Sequence, residues 1–347
     1  MTWLGLDIGG ANLKAADGRG WARSVPFPLW RDPHGLAAAL ATLIDSAPVA
    51  ENLAITMTGE LCDCFRTKAD GVQHILAAVQ QVAAARTVRV YLVGGRLVAV
   101  EQARETPYRA AASNWHALAT FACRFVEGKA GLVIDVGSTT TDIVPVVEGR
   151  PRPTGLNDTD RLLAGELVYT GVGRTPVCAI TRSLPWRGAR CPVAAELFAT
   201  AADAYVVLGA LPEQPTADSI ADGRPLTKEF SRQRLARMIC ADAAAFGDGD
   251  ARQAAAAVRD AQAGQLREGI RQVLARMDRR PELLVLSGAG EFLARQAMRD
   301  ALPRIGQVVA LSERLGREPS EAAPAHALAV LAREGGIFSD QKSPGND

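Results

Sequence analysis

Two stretches of the sequence place aspartates around turns of small residues, a combination suited to binding phosphate and a divalent cation. In GLVIDVGSTTTDIVPV, residues 131–146, an apolar strand ends at Asp135, small hydroxylated residues follow, and Asp142 emerges before the sequence becomes apolar again. LGLDIGGANLKAA, residues 4–16, repeats this pattern around Asp7 with fewer hydroxyls. Superposing Asp7 on Asp135 aligns the two turns, which predicts a chain built from two related halves.

The chemistry of these turns depends on backbone N–H groups, hydroxyls and carboxylates. Glycine, serine and threonine carry little side-chain bulk, so phosphate oxygens can approach the backbone closely. Mg²⁺ prefers few protein carboxylates together with waters and substrate phosphates. The candidate phosphate-binding residues are Gly9, Gly10, Asn12, Lys14, Gly137, Ser138, Thr139 and Thr140, and the candidate metal-binding residues are Asp7, Asp135 and Asp142. For each hairpin taken alone the alternative is an ordinary structural turn, and for Lys14 it is a solvated strand lysine.

A third element with small residues lies near the C-terminal end of the sequence. LLVLSGAGEFLA, residues 283–294, is an apolar strand that leads through Gly288 and Gly290 into a helix. Small residues at a helix start can admit a flat ring or a ribose beside the backbone. The third glycine of a dinucleotide-binding fingerprint is missing, so Gly288 and Gly290 support a phosphate or nucleotide site only together with the two turns.

Three further stretches combine charged, aromatic and amide side chains. They are TMTGELCDCFRTKADGV (56–72), ASNWHALA (112–119) and GELVYTGVGRTPV (165–177). The first follows a predicted strand, where an α/β sheet places its binding loops. The candidate substrate-binding residues in these stretches are Asp63, Arg66, Lys68, Asn114, Trp115, Tyr169, Gly171, Arg174 and Thr175. The alternatives are a solvated surface for Arg66 and Lys68 and a connecting loop with a structural salt bridge for 170–176.

The elements that must position these residues alternate between strands and helices, which is typical of an α/β fold. Strands are predicted at 3–9, 12–20, 52–61, 88–95, 282–288 and 307–311, and a hairpin at 131–149. Helices are predicted at 34–47, 72–85, 113–126, 291–302 and 324–336, with a long helical region from about 194 to 280. We expect an N-terminal domain over residues 1–128, a C-terminal domain over 129–337 and a disordered polar tail over 338–347.

Composition excludes several classes of function. The 347 residues, 48% of them hydrophobic, are enough to bury a core in each of two domains. Lys+Arg of 39 against Asp+Glu of 38 gives a net charge of +1, so no global field would hold nucleic acid or an acidic membrane. The sequence has no 18-residue apolar run and no signal-peptide pattern at its N-terminus, so we expect a cytoplasmic protein.

The order of the three small-residue elements resembles the superfamily of sugar kinases, actin and Hsp70-type ATPases. DVGSTTTD fits the second phosphate motif of that superfamily, Asp-x-Gly-x-x-Thr-x-Asp, at every specified position. The first motif departs from the pattern at Asn12, where a hydroxyl is frequent. The resemblance implies two ribonuclease-H-like domains with a central cleft, in which Asp135 and Asp142 lie near the metal and residues 137–140 near phosphate.

Over residues 2–336 the sequence also resembles the hydantoinase/oxoprolinase family, and within it the branch linked to tetrahydromethanopterin-dependent one-carbon transfer. The resemblance rests on TMTGEL, DCF, SNW, DVGSTTTD, GELVYTGVGRTPV and TADSIADGRP. Archaeal members of this branch are methanofuran synthases, which join an aminomethylfuran methyl diphosphate to the phenol of γ-glutamyltyramine. The resemblance therefore implies a transferase that uses Mg²⁺ and small-molecule substrates, with Asp7 and Asp142 acting at the diphosphate and Glu60 or Glu166 taking the phenol proton.

Two other functions are compatible with the sequence. One is an ATP-dependent kinase or amide-activating ATPase, as in the wider family, with ATP as a cofactor. The other is a non-catalytic nucleotide-binding sensor, which is less compatible with two intact turns and three aspartates. The sequence leaves open whether ATP or a substrate diphosphate occupies the turns, and it leaves open the oligomeric state, for which a homodimer is one option.

Overall fold

A computed structural model gives the structure of the protein and describes residues 1–218 and 221–335. The predicted tail over 338–347 and residues 219–220 of the TADSIADGRP stretch lie outside the described residues. Within the described ranges, no helix combines the length and the apolar character that crossing a membrane requires.

The strands that build the fold fall into two larger sheets and two separate hairpins. They are β1 (Trp3–Ile8), β2 (Asn12–Ala16), β3 (Ala22–Pro26), β4 (Asn52–Met57), β5 (Thr87–Leu92), β6 (Arg96–Val98), β7 (Ala130–Val136), β8 (Thr141–Val147), β9 (Arg150–Pro151), β10 (Leu167–Val168), β11 (Ser183–Trp186), β12 (Ala189–Pro192), β13 (Gln214–Asp218), β14 (Pro225–Leu226), β15 (Leu283–Ser287) and β16 (Gln307–Ala310).

Helices cover the sheets and connect their strands. They are α1 (Leu36–Asp45), α2 (Lys68–Val82), α3 (Val100–Glu105), α4 (Pro107–Ala110), α5 (Asn114–Ala122), α6 (Asp158–Ala164), α7 (Val177–Ile180), α8 (Ala201–Val207), α9 (Lys228–Arg237), α10 (Asp248–Arg276), α11 (Glu291–Ala301), α12 (Leu311–Leu315), α13 (Arg317–Glu321) and α14 (Ala323–Glu334).

The two larger sheets share an equivalent five-strand order, β3-β2-β1-β4-β5 in the first and β10-β8-β7-β15-β16 in the second, which confirms the predicted fold class of paired ribonuclease-H-like domains. The first sheet runs β3-β2-β1-β4-β5-β6, and the second runs β10-β8-β7-β15-β16 with β9 also paired to β8. In each sheet an antiparallel hairpin, β1–β2 or β7–β8, is followed by a parallel partner, β4 or β15. All six residues of β1 and of β4 are buried, as expected for strands covered by helices on both faces.

The strand register of the two hairpins determines which charged side chains lie opposite each other. Asp7 lies opposite Lys14 in β1–β2, and Asp135 lies opposite Asp142 in β7–β8. Side chains directly opposite on antiparallel strands are close neighbours, so the first pair is attractive and the second repulsive. The second hairpin therefore places two carboxylates side by side, an arrangement that costs stability unless a cation compensates it.

The predicted helical region over 194–280 is only partly helical. α8, α9 and α10 lie within it, but β13 and β14 form an antiparallel hairpin between α8 and α9. The fully buried Arg234 of α9 holds this hairpin through Asp222 and the Pro225 carbonyl oxygen, and it also pairs with Asp203 of α8. A composition rich in alanine and charged residues hides such a break, because the fixing contacts come from residues distant in sequence.

An apolar cluster joins the two domains behind their cleft. It contains Tyr91 from the first sheet, Val133 and Val285 from the second, and residues of α5 and α14. α14 contacts β1, β4 and α5, so the last described helix covers the first sheet. A Cβ added to Gly5 of β1 would lie 2.0 Å from the Ala325 carbonyl oxygen, which shows how closely this helix approaches the strand.

Candidate active site

Two adjoining cavities occupy the cleft between the two sheets. The large cavity has a volume of 380 Å³ and the small cavity a volume of 90 Å³. They share lining residues from both domains, which are Gly10, Ala11, Thr58, Asn114, Thr139, Thr140 and Asp142. The two cavities therefore form one continuous site with a narrow end and a wide end.

The two predicted phosphate turns face each other across the small cavity. The Gly9 N–H donates to the Asn12 carbonyl oxygen at 3.0 Å, and the Gly137 N–H donates to the Thr140 carbonyl oxygen at 2.9 Å. Each hairpin thus closes with the same backbone hydrogen bond. The residues of these turns that line the small cavity are Gly9, Gly10, Asn12 and Lys14 from the first hairpin and Gly137, Ser138, Thr139 and Thr140 from the second.

Three carboxylates line the same small cavity, those of the buried Asp7 and Asp142 and of the half-buried Asp135. The Oδ1 atoms of Asp7 and Asp135 have no hydrogen-bond partner among the described residues. Burial raises the pKa of Asp135 to about 6, and the nearby Asp142 carboxylate adds to this shift. Burial also raises the pKa of Asp7, an effect that the Lys14 ammonium opposes. Since unpaired buried charge is costly, the cavity has the electrostatics of a cation site.

The predicted metal set is not a preformed metal site. In residues 1–218 and 221–335, no three His, Cys, Asp or Glu side chains converge closely enough to hold a metal by themselves. The unpartnered oxygens of Asp7 and Asp135 still fit Mg²⁺, which commonly completes its shell with waters and phosphate oxygens. Phosphate and Mg²⁺ would thus have to bind together.

Arg161 is a site residue that the sequence analysis missed. Its side chain is 1% exposed, and its guanidinium donates from Nη2 to Asp142 Oδ1 at 2.8 Å and lies 3.9 Å from the centre of the Trp115 ring. α6 positions it: Asn157 accepts a hydrogen bond from the Asp160 N–H at the start of this helix. The sequence feature that could have indicated Arg161 is its position just before the GELVYTG stretch. Arg161 neutralises Asp142 and leaves Asp135 without a cation partner.

Glu60 is the carboxylate best placed to act as a base. It lies in the turn Gly59–Leu61 after β4, lines the large cavity and is 1% exposed. Neither carboxylate oxygen makes a well-formed hydrogen bond to the described residues. Burial raises the pKa of Glu60 to about 7, an effect that the backbone N–H groups of Glu60 and Ala112 oppose. A general base works best when its pKa lies near the pH of the reaction.

Glu166, the other predicted base, holds a loop instead. Its Oε1 accepts from the Thr154 N–H at 2.5 Å and its Oε2 from the Gly155 N–H at 3.1 Å. It lines neither cavity. Because both carboxylate oxygens already accept backbone N–H groups, the structure does not support Glu166 as the base.

Charged and aromatic side chains surround the large cavity. Asp63, Asn114, Trp115, Tyr169 and Arg174 line it as predicted, together with Trp30 and Asp158, which the sequence analysis did not single out. The Arg174 guanidinium lies 4.4 Å from the Trp30 ring centre, and Lys68 Nζ lies 2.5 Å from Asp158 Oδ2. Both contacts join side chains on opposite sides of the cleft between the domains.

Several predicted substrate-binding residues support the site without lining it. A Cβ added to Gly171 would lie 2.5 Å from the Gly137 carbonyl oxygen and 2.5 Å from the Thr139 nitrogen, so this glycine packs directly against the second phosphate turn. The Thr175 hydroxyl oxygen accepts from the Gly171 N–H at 2.9 Å. Arg66 is exposed and lines neither cavity, in keeping with a solvated position.

The glycines of the third element do not reach the small cavity. Gly290 packs against Val136, whose Cγ1 would lie 2.3 Å from an added Cβ. Gly288 has φ +87° and lines a separate groove of 410 Å³, together with Phe292 and Arg317. The groove also contains Glu291, whose carboxylate already accepts from Ser312 and Ser320. The prediction that both glycines bind phosphate is therefore not supported.

The fold and the cleft define an α/β protein of the actin, Hsp70 and sugar kinase type. The chain belongs to the hydantoinase/oxoprolinase family, whose model matches residues 51–329. This match confirms the family that the sequence motifs indicated.

Two curated relatives have the same name, (4-{4-[2-(γ-L-glutamylamino)ethyl]phenoxymethyl}furan-2-yl)methanamine synthase. The relative from Methanocaldococcus jannaschii is 31% identical over 334 residues, covering 95% of this chain and 97% of its own. The relative from Methanococcus vannielii is 26% identical over 207 residues, covering 58% of this chain and 90% of its own. The similarity thus extends over nearly the full length of a synthase.

A solved structure of acetone carboxylase, described as nucleotide-free and taken from work on ATP-dependent acetone carboxylation, has a similar fold. Its TM-score is 0.57 at 13% identity, with 96% of this chain and 70% of that chain covered. At this identity the similarity concerns the fold alone.

Proposed function

We propose that the protein is a transferase that forms an aryl furfuryl ether in the biosynthesis of methanofuran or an analogue, with release of diphosphate. The observation that carries the proposal is the connection of the small cavity, with its two phosphate turns, to a large cavity that contains the unpartnered Glu60. Such a cleft suits two substrates that meet at the shared residues. The product for which the relatives are named supplies the chemistry, since it contains a phenoxymethyl group on a furan.

The proposed reaction joins the phenol oxygen of γ-glutamyltyramine, or of a related acceptor, to the methylene carbon of an aminomethylfuran methyl diphosphate. The new C–O bond forms as the bond between the methylene carbon and the diphosphate oxygen breaks, and diphosphate leaves with that electron pair. The phenol proton passes to Glu60. Holding the two reacting atoms in line is the main contribution of the cleft, because an oriented encounter lowers the entropic barrier.

The diphosphate would bind between the two turns. Backbone N–H groups and the hydroxyls of Ser138, Thr139 and Thr140 would receive the charge that grows on the leaving group. Asp7 and Asp135 would hold Mg²⁺ with phosphate oxygens and waters. When bound, this ion neutralises charge on the diphosphate.

The test is a reaction without nucleotide. Purified protein, Mg²⁺, γ-glutamyltyramine and the furan diphosphate are expected to give the ether and diphosphate in equal amounts, detected by mass spectrometry and a diphosphate assay. A preparation without Mg²⁺ is expected to be inactive. Absence of ether, combined with substrate-stimulated release of ADP when ATP is supplied, would reject this function.

A second candidate is an ATP-dependent activity of the wider family. The groove of 410 Å³ beside Gly288 favours it, because this groove lies next to Asp135 at the edge of the phosphate turns. Against it, the Glu291 carboxylate in the groove is already occupied by Ser312 and Ser320. If the protein is the proposed transferase, ATP should neither be consumed nor stimulate ether formation.

A glycine substitution tests whether the second turn binds diphosphate. Gly171→Ala is expected to weaken the binding of inorganic diphosphate with Mg²⁺ by about tenfold or more, because the new Cβ would push against backbone atoms of residues 137–139. Isothermal titration calorimetry measures this effect. Gly264→Ala in α10 is the matched control, since nothing lies within 4 Å of its added Cβ. This control should bind diphosphate normally and should gain about 0.5–1 kcal/mol of stability.

A further inference from the structure

We propose, resting on the function above, that the mouth of the large cavity recognises the free α-amino-acid head of the acceptor. Arg174 would bind the α-carboxylate, Asp63 would bind the α-ammonium, and the phenol would point inward toward Glu60. A γ-glutamyl linkage, as in the product for which the relatives are named, leaves both of these charged groups free.

Arg174 belongs to the acceptor side of the cleft. Its side chain lines the large cavity, not the small cavity that contains the phosphate turns. One face of the guanidinium lies against the Trp30 ring, 4.4 Å from its centre, and Nε is buried without a hydrogen-bond partner in the described part of the chain. A stacked guanidinium keeps its N–H edge available, and that edge matches the two oxygens of a carboxylate.

Among the three aspartates that line the large cavity, Asp63 is the one available to bind the ammonium group of a substrate. Asp142 pairs with Arg161, and Asp158 pairs with Lys68. No ion pair in residues 1–218 and 221–335 includes Asp63, which is exposed. An exposed carboxylate can attract an ammonium group without the cost of full desolvation.

Asp63 and Arg174 act on the same small region of the cavity wall. Burial raises the pKa of the Cys62 thiol to about 11, Asp63 adds to that rise, and Arg174 opposes it. Asp63 and Arg174 also line the same cavity, which therefore offers opposite charges to the two charges of a single amino-acid head group. The neighbouring carboxylate and ammonium of that group are separated by one carbon atom.

The burial gradient of the large cavity fixes the direction of the acceptor. Glu60, Trp115 and Arg161 are buried, whereas Asp63 is exposed and Tyr169 is 57% exposed. Burial of an aromatic ring is favourable. Burial of a zwitterionic head group is unfavourable unless water or opposite charges remain nearby. The ring therefore enters first and the charged head stays at the mouth.

The test compares acceptors that differ only at the head group. Wild type, Arg174→Gln, Asp63→Asn and the control Arg187→Gln are assayed with γ-glutamyltyramine, with its N-acetyl derivative and with tyramine. Arg187 is a suitable control because it also stacks on a tryptophan, Trp186, but lies outside both cavities. The binding of γ-glutamyltyramine in the presence of Mg²⁺ and inorganic diphosphate is measured by calorimetry, which needs no turnover.

Arg174→Gln is expected to lower kcat/KM for γ-glutamyltyramine by about 10-fold to 100-fold through KM, and to leave tyramine within about threefold. Asp63→Asn should lose most of the preference for γ-glutamyltyramine over its N-acetyl derivative, and Arg187→Gln should match wild type.

Equal losses for all acceptors, or weaker binding of diphosphate in Arg174→Gln, would overturn the proposal by placing Arg174 at the donor. If no ether forms but γ-glutamyltyramine binds in an Arg174-dependent manner, the transferase function fails and this recognition stands. If it does not bind, the recognition fails as well.

Discussion

Glu60→Gln is expected to lower kcat by about 10²-fold or more while it stabilises the folded protein. The loss of rate follows from removing the group that we propose accepts the phenol proton, since general-base catalysis typically contributes that much. The gain of stability follows from the environment of Glu60, whose buried carboxylate has no hydrogen-bond partner among the described residues. Activity and stability should therefore change in opposite directions.

The stability gain should depend on pH in a defined way. Burial raises the pKa of Glu60 from 4.5 to about 7 in the folded state. The stability associated with the protonated group is fully present below pH 4.5 and is lost as the pH rises through 7. Glutamine cannot ionise, so Glu60→Gln should be more stable than wild type by up to roughly 3 kcal/mol at pH 8 and nearly equal to it at pH 4.

Denaturant unfolding at the two pH values and a pH–rate profile measure these effects. In wild type, kcat/KM should rise with pH through an apparent pKa near 7, and in Glu60→Gln this rise should be absent. Glu166→Gln is the comparison, because it disturbs a carboxylate that accepts two backbone N–H groups and should therefore lose stability. A Glu60→Gln enzyme with normal turnover would show that another group takes the proton.

Replacing the two facing aspartates of the second hairpin should give equal losses of rate and opposite changes of stability. Asp135→Asn and Asp142→Asn each remove a carboxylate from the diphosphate end of the site and are expected to lower the rate by about 10²-fold or more. Burial raises the pKa of both aspartates, but Asp142 pairs with the buried Arg161, which opposes its shift, whereas Asp135 has an unpartnered Oδ1 and a pKa raised to about 6 by burial and by Asp142.

Asp142→Asn leaves a buried guanidinium without its anion and should destabilise the protein by about 3–5 kcal/mol. Asp135→Asn removes a carboxylate that is desolvated and also repelled by Asp142, and it should stabilise the protein by up to about 3 kcal/mol at pH 8. Unfolding curves in EDTA measure both values, so that bound metal does not contribute. Loss of stability in both variants would mean that Asp135 has a favourable partner and that the cavity does not repel a second carboxylate.

Those parts of the site that depend on local sequence were predictable. Each phosphate turn is a hairpin in which a strand, a glycine and the returning strand are contiguous, so strand pattern and turn composition were enough to place Gly9 and Gly137. The repeated pattern also anticipated the shared sheet order, because a repeat in sequence implies a repeat in topology. Contiguous motifs such as DVGSTTTD and GELVYTGVGRTPV were likewise enough to indicate the hydantoinase/oxoprolinase family.

Those parts that depend on distant contacts were not predictable. Nothing near Glu166 in the sequence shows that its carboxylate accepts the N–H groups of residues 154 and 155, and nothing near Glu60 shows that its carboxylate has no such partners. Arg161 and Trp30 acquire their roles from partners on other elements. Residue type indicated that a carboxylate acts here, but only packing distinguished the free carboxylate from the occupied one.

The position of α14 has a consequence for how the chain folds during synthesis. This helix is made last among the described elements, yet it covers β1, which is made first. α1 and α2 cover one face of the first sheet, but until residues 323–334 have left the ribosome the face that α14 covers lacks this helix. The N-terminal domain therefore cannot complete its fold ahead of the C-terminal one, and the two must mature together, unlike domains that fold one after another as they emerge.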